Sequence, residues 1–494
     1  MGVMQQSTYN FVSTRSLVLT EAERFGRFQQ ERVRHWEMVS AAMQRRKGWG
    51  TYYHRRLGEI YRFLVPRHSK VLEVGCGQGD LLQELEPSYG VGVDFSPQMI
   101  ATARARHPHL AFLVQDAHTL TVEGKFDFVV LSDLLNDVWD VQQVLGQLRT
   151  VCTPSTRVLI NSYSRLWELP LRAAEKLGLA YPNLNQNWLT LPDLKNLLTL
   201  AGFEGIQSWH EILYPLPTPF LSAFMNRFAA KLFPLNHLAL CNFLVARPRP
   251  APYSVQPTVS IIVPARNESG NIQAIFERVP EFARETELVF VEGHSRDNTY
   301  ETIQREIAAH PERNALLLRQ IGKGKGDAVR LGFERARGEI LMILDADLTM
   351  PPEDLPRFYT ALVNGTGELI NGVRLVYPME KEAMRFVNLL GNKLFSIMFS
   401  WLLGQPVKDT LCGTKVVWAT HYRRIAENRM YFGDFDPFGD FDLLFGAAKL
   451  NLKLVDMPIR YRERTYGTTN IQRWRHGWLL LNMVAFAARR LKFV

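Results

Sequence analysis

The segment EILMILDADLTMPPEDL is the most informative stretch of the chain. Mostly apolar residues precede Asp345-Ala346-Asp347, so the two carboxylates fall where a buried strand would leave its sheet. Carboxylates two residues apart at a strand's C-terminal end can hold a hard divalent cation and leave sites for waters and phosphate oxygens. Such a metal would neutralise charge on a departing diphosphate. The alternative is a pair of solvated loop acids.

A second locus is VLEVGCGQGDLL, where Gly75, Gly77 and Gly79 stand between an apolar strand and a helix start. Glycines there allow a sharp turn and close approach of backbone to ligand, with a helix N-terminus behind them. VGVD then ends a strand in Asp94, which could accept hydrogen bonds from two ribose hydroxyls. A dinucleotide-binding G-x-G-x-x-G would need glycine or alanine at position 80, and Asp80 argues against a dehydrogenase. The G-K-G-K-G run ending at Gly326 lacks the Ser or Thr of a P-loop, which argues against ATP hydrolysis.

The elements that must position these residues alternate between strand and helix. VLEVG, VGVD, FDFVVL and RVLINS read as strands in the first half, and VSIIV, LVFVE and EILMILD in the second. Between the halves lies ARPRPAPYSVQPT, whose four prolines predict an extended linker. The expected organisation is therefore a domain over 1–247, a linker over 248–257 and a domain over 258–494. Each domain is predicted to be a three-layer α/β fold with a largely parallel sheet.

The length of 494 residues agrees, because it exceeds what one hydrophobic core organises. With 46% apolar and 22% charged residues, disordered, collagen-like and coiled-coil chains are excluded. The 58 Lys and Arg against 49 Asp and Glu give a net charge of +9, which favours anionic ligands or surfaces. Nucleic acid is not expected as a partner, since no aromatic and basic repeat accompanies that charge. Cys76, Cys152, Cys241 and Cys412 are dispersed without C-x-x-C or metal-ligand spacing, which suits a reducing cytoplasm. No signal peptide is read at the N-terminus, and no stretch reaches the ~18 apolar residues of a membrane span. The closest are Leu394 to Val407 and Gly477 to Ala488. The latter, flanked by basic clusters, Trp474 and Trp478, reads either as a helix in the headgroup region or as a core or dimer helix.

On the glycine loop and the acids that follow it, residues of about 50 to 247 resemble the class I S-adenosylmethionine-dependent methyltransferases, which are Rossmann-like. The resemblance implies S-adenosylmethionine as cofactor, with Glu73 supporting its methionine end and Gly75, Gly77 and Gly79 its loop. Asp94 would take the ribose, and Asp116 with Ala117 the adenine. FDFVVLSDLLND matches the strand lining the methyl-transfer site, where Asp133 is the candidate base. Asp137 and His54 lie within reach of the same site, and a strand-end cap, a solvated acid and a packed histidine are the ordinary alternatives for the three.

VSIIVPARNESGNI, LVFVEGHSRDNT, GKGKGDAVRLGF and LDADL resemble, in that order, the family 2 glycosyltransferases of GT-A fold. The resemblance implies a nucleotide-sugar site formed by Pro264, Ala265, Asn267, Glu268, Glu292, Lys325, Asp327 and Ala346, with Mg2+ or Mn2+ on Asp345 and Asp347. NGVRL, MRFVNLLGNKLF, KDTLCGTK and YRERTYGTTN resemble segments of the polyprenyl-phosphate and dolichyl-phosphate sugar synthases. By that likeness Arg464 and Thr469 contact the diphosphate, Arg374 and Arg385 face an acceptor phosphate, and Asp440 is the candidate base. If Val455 to Arg464 is extended, Arg460, Arg462 and Arg464 share one face.

The reading is thus a bifunctional transferase acting on a nucleotide-sugar donor and a lipid-phosphate acceptor. It is placed in the cytoplasm, at the inner membrane face where a lipid acceptor would put it. The alternatives are a hydroxyl acceptor for the sugar, and a first domain that docks without catalysing.

Overall fold

The computed structural model describes residues 20–45, 50–177, 184–374, 376–377, 386–431, 441–464, 466 and 473–493. The first sheet is built from β1 (Lys70–Val74), β2 (Tyr89–Asp94), β3 (Ala111–Val114), β4 (Phe128–Ser132), β5 (Arg157–Tyr163), β6 (Phe203–Glu211) and β7 (Cys241–Pro248). Their spatial order is β3-β2-β1-β4-β5-β7-β6. The first five pair in parallel, and β7 runs antiparallel to both β5 and β6.

The second sheet contains β8 (Val259–Ala265), β9 (Thr286–Glu292), β10 (Asn314–Arg319), β11 (Ile340–Ile343), β12 (Leu369–Val373), β13 (Lys415–Trp418) and β14 (Leu454–Pro458). Its order is β10-β9-β8-β11-β13-β12-β14. Only β13 is reversed, pairing antiparallel with β11 and β12. The expectation of largely parallel sheets therefore holds, with one antiparallel strand in each.

The central strands form because continuous Val, Ile and Leu runs satisfy apolar layers on both faces at once. Val129, Val130 and Leu131 of β4 and Ile340 to Ile343 of β11 are almost wholly buried, and each sheet is sandwiched between two apolar clusters. Both domains are two-sided α/β folds: the first Rossmann-like with methyltransferase strand order, the second of GT-A type.

In each sheet the order of the parallel strands reverses at the centre, between β1 and β4 in the first and between β8 and β11 in the second. Loops leaving the carboxyl ends of those neighbours diverge, and the crevice they leave is where open α/β sheets bind ligands. The glycine loop follows β1 and the Asp345-Ala346-Asp347 turn follows β11.

The C-terminal helix Arg473–Leu491 buries Leu480, Met483, Val484 and Ala487 against Phe399, Leu402 and Leu403 of the helix Phe386–Leu403. One face of this apolar segment is therefore core, while Trp478 is 68% exposed. Among the described residues no helix is long and apolar enough to cross a membrane. All four cysteines are buried and unpaired.

Candidate functional sites

Gly75, Gly77 and Gly79 all adopt positive φ, at 77, 51 and 79°, which turns the chain from β1 into the helix Asp80–Glu84. A Cβ on Gly75 would stand 2.9 Å from Leu134 Cδ1, and one on Gly79 2.6 Å from the Phe112 ring. At Gly77 the added atom would meet open space, so this glycine faces the crevice. Its amide donates to Asp94 Oδ2 at 3.0 Å while the Ser96 amide donates to Oδ1 at 2.9 Å, fixing the acid at the end of β2. Behind the loop Glu73 is 2% exposed, and its Oε2 has no hydrogen-bond partner among the described residues. Burial pushes its carboxyl well above the usual range. An orphaned carboxyl oxygen behind the glycine loop fits a ligand with a polar group to pair it.

Asp116 caps the turn Ala117–Thr119, accepting from the His118 amide at 2.7 Å, and also receives the Gln29 amide group. Gln29 belongs to the helix Glu21–Arg45, which crosses the crevice mouth. Ser40 of that helix accepts from Gln78 of the glycine loop at 2.8 Å. Arg32 and Trp36 donate to the two oxygens of Asp137 at 2.8 and 2.6 Å. A cavity of about 460 Å³ remains beneath it, lined by Gln29, Val33, Phe95, Val114, Gln115 and Asp116. Asp137 is thereby tied up as an anchor for this helix, while His54 is exposed on the helix Gly50–Leu64.

Asp133 follows β4 in a left-handed conformation, φ 54°. Its carboxylate accepts the Tyr53 hydroxyl at 2.9 Å and the Asn161 amide at 2.5 Å, and Tyr61 supports Asn161 at 2.6 Å. Burial raises its pKa to about 7, against the opposing effect of those two hydrogen bonds. Tyr53 and Asn161 were not singled out in the sequence. They reach Asp133 from 80 and 28 residues away, and no local pattern marks them.

In the second domain, Pro264 and Ala265 close β8, and Asn267 turns through φ 56°. Asn267 receives the Arg296 amide at 2.7 Å, and the Ser295 amide donates to Glu292 at 2.5 Å, which joins the loops after β8 and β9. Asp327 accepts from Gln320 at 2.9 Å and from the Gly322 amide at 3.1 Å, so its carboxylate holds the glycine-lysine loop in shape.

Two carboxylate–cation pairs form at the carboxyl ends of β8 and β11. Lys325 Nζ lies 2.6 Å from Asp345 Oδ1. Arg464 bridges Asp347 Oδ2 at 2.6 Å and Glu268 Oε1 at 3.1 Å. Burial alone would raise the Asp345 pKa, but Lys325, with Lys415 and Arg374 behind it, more than reverses this and keeps the carboxyl ionised. Glu268, more enclosed than it is compensated, is raised to about 7. Thr349 donates through hydroxyl and amide to Asp347 Oδ1 at 2.8 and 3.2 Å. A Cβ on Gly413 would overlap both Asp345 and Lys325, so a side chain where the loop before β13 passes would displace this pair. Ala346 points into the core, 3% exposed.

Arg374, at the end of β12, makes a two-pronged pair with Asp409 at 2.7 and 2.9 Å. Its charge is balanced within the protein, and an acceptor phosphate would have to share it. Arg385, Asp440 and Thr469 lie outside the described residues. Asp442 is paired with Arg330 at 3.2 Å. β14 ends at Pro458, so Arg460, Arg462 and Arg464 lie past the strand; Arg464 pairs with Asp347, while the Arg460 guanidinium lies over the Tyr377 ring.

Residues 45–208 match the sequence profile of a methyltransferase domain, and residues 260–426 that of glycosyl transferase family 2. The chain therefore combines a methyltransferase domain with a family 2 glycosyltransferase domain. It is 28% identical over 232 residues to the low-salt glycan biosynthesis hexosyltransferase Agl6 of Haloferax volcanii, covering 45% of this chain and 52% of that one. It is 38% identical over 109 residues to the dolichol-phosphate mannosyltransferase of Saccharomyces cerevisiae, covering 21% and 40%. An undecaprenyl-phosphate 4-deoxy-4-formamido-L-arabinose transferase of Pectobacterium atrosepticum is 34% identical over 217 residues, covering 43% and 62%. The chain thus spans about half the length of the curated relatives it matches.

Proposed function

We propose that the second domain transfers a sugar, with inversion, from a nucleotide sugar to a polyprenyl-phosphate-like acceptor, and that the first transfers a methyl group from S-adenosylmethionine. The observation that carries the first part is the pair of acids at the β8/β11 crevice, Asp345 and Asp347, each held by a cation, Lys325 and Arg464. Two oxygen donors at a strand end suit Mg2+ or Mn2+, which when bound would offset diphosphate charge. The cations are then free to exchange a carboxylate for a phosphate oxygen, Arg464 by its planar fork and Lys325 as a point charge. A metal plus diphosphate brings little net charge, so the cluster accepts both without leaving any member unpaired. An acceptor already anionic needs little help from a base.

In the first domain the Gly77 cradle and the unpartnered Glu73 oxygen fit the cofactor, which when bound supplies an electrophilic methyl group. Asp133, ionised above about pH 7, would take the acceptor's proton, with Tyr53 and Asn161 fixing its orientation. Methyl transfer is accordingly expected to rise with pH through about 7 and level off above it. Asp133→Asn should abolish that rise and slow transfer about 10²-fold or more. A variant retaining the wild-type pH profile would remove Asp133 from this role.

The whole reading is tested by mass spectrometry of products formed from a panel of sugar nucleotides, polyprenyl phosphate and S-adenosylmethionine. A glycosylated lipid phosphate is expected, and sugar found only on soluble hydroxyl acceptors would overturn the acceptor assignment.

A further inference from the structure

Between β6 and β7 the first domain forms the short helix Leu221–Arg227 and the turns Ala229–Lys231 and Leu235–Leu238. Phe220, Phe224, Leu232, Phe233 and Leu238 are exposed there by 92, 60, 49, 81 and 55%. Soluble surfaces scatter such residues singly, so their concentration in one excursion marks a contact face.

That face continues onto the second domain. The Phe224 ring lies 6.0 Å from Phe228, Phe228 5.1 Å from Phe493, and Phe493 5.8 Å from Trp401. Trp401 shares a helical stripe with Leu394 and Ile397, which are 55 and 69% exposed. The junction is pinned by Trp401 Nε1 donating to Lys231 O at 2.9 Å and Arg227 Nε to Phe493 O at 2.6 Å. One apolar ridge therefore spans both domains.

Its charge identifies the occupant. No Asp or Glu occurs in 220–238, 393–401 or 478–493, the stretches that carry the ridge and its flanking charges. Arg227, Lys393, Arg489 and Arg490 on those stretches are exposed. A second copy of this chain would set like charges opposite one another, whereas a bilayer with acidic headgroups offers hydrocarbon and negative charge together. We infer that this two-domain ridge, and not the C-terminal helix alone, docks the protein on an anionic membrane, with Phe220 and Phe233 entering the headgroup boundary. The inference gives a purpose to the lipid-phosphate reading, on which it rests for its biological sense, but its test needs no acceptor.

The full chain is sedimented with phosphatidylcholine vesicles with and without phosphatidylglycerol. Wild type is expected to pellet with the anionic vesicles, and the double variant F220S/F233S to partition at least about 10-fold less, since each ring forfeits its buried area. K393E should weaken binding to anionic vesicles only. Because the substituted side chains are exposed, unchanged thermal unfolding is the folding control. Wild type that stays in solution, or a double variant that binds as wild type does, overturns the inference. Self-association of wild type that F220S/F233S abolishes, without vesicle binding, reassigns the ridge to a second copy and equally overturns it. Vesicle binding combined with no transfer to a detergent-dispersed lipid phosphate leaves the docking face standing and removes the acceptor reading.

Discussion

Asp347→Asn is expected to reduce sugar transfer by at least about 10²-fold while leaving S-adenosylmethionine binding unchanged. The substitution is nearly isosteric, and asparagine Oδ1 can still accept from the Thr349 hydroxyl and amide that now bind at 2.8 and 3.2 Å. The turn after β11 should therefore keep its shape. What is lost is the charge facing Arg464, now 2.6 Å away, and with it one of two carboxylates able to hold a divalent cation. The guanidinium would keep its contact with Glu268, at 3.1 Å. Turnover with a nucleotide sugar and calorimetry with S-adenosylmethionine read the two halves separately. Turnover within a few-fold of wild type would sink the role given to Asp347, and loss of both activities would contradict the independence of the two crevices.

That much of the site was legible because its chemistry sits on consecutive residues at the ends of continuous apolar runs. β1, β4, β8 and β11 are buried on both faces, so their sequences are mostly apolar runs whose ends can be read directly. Edge strands are different. β6 and β10 are largely half-exposed, and FEGIQSWHE in particular mixes polar and apolar residues without the continuous run a buried strand carries. Arg460 and Arg462 show how register depends on a partner: β12, which β14 follows residue for residue, stops at Val373 opposite Pro458. With no ladder to continue, alternation along the chain no longer predicts which side chains share a face.

Pairings across distant segments were not legible at all. Asp137 reads in the sequence as an acid beside a methyl-transfer site, but Arg32 and Trp36 of the first helix claim both its oxygens. Arg374 reads as a phosphate ligand, and Asp409 neutralises it. In each case the residue type was informative about charge, and the fold decided whether that charge was spent internally.

The other large effect concerns the junction of the two domains, where the same principle operates in reverse. Glu368, just ahead of β12, receives Arg157 of β5 through both oxygens at 2.7 and 2.8 Å, and Arg247 of β7 lies 3.2 Å away. All three side chains are nearly inaccessible, at 6, 3 and 3%. Burial would raise the Glu368 pKa, but the two guanidiniums, with His421 and the Lys453 amide, more than offset this and hold it below the usual range. Glu368→Gln keeps the volume and leaves two buried arginines short of a counter-charge, so a loss of about 3–5 kcal/mol is expected. The remaining acid, Glu204, is already shared between Arg247 and Lys453 at 2.6 and 2.5 Å and cannot serve both. Because the folded pKa is depressed, the stabilisation should persist above about pH 4.3 and fade as pH falls further, through the folded value. Denaturant unfolding near neutral pH measures the loss. Adding Arg157→Met should restore part of it, since the pair is coupled. A change under about 1 kcal/mol would mean that water or main-chain groups satisfy the arginines without Glu368. The larger value would make this cluster a main tie between β5 and β7 of the first domain and β12 of the second.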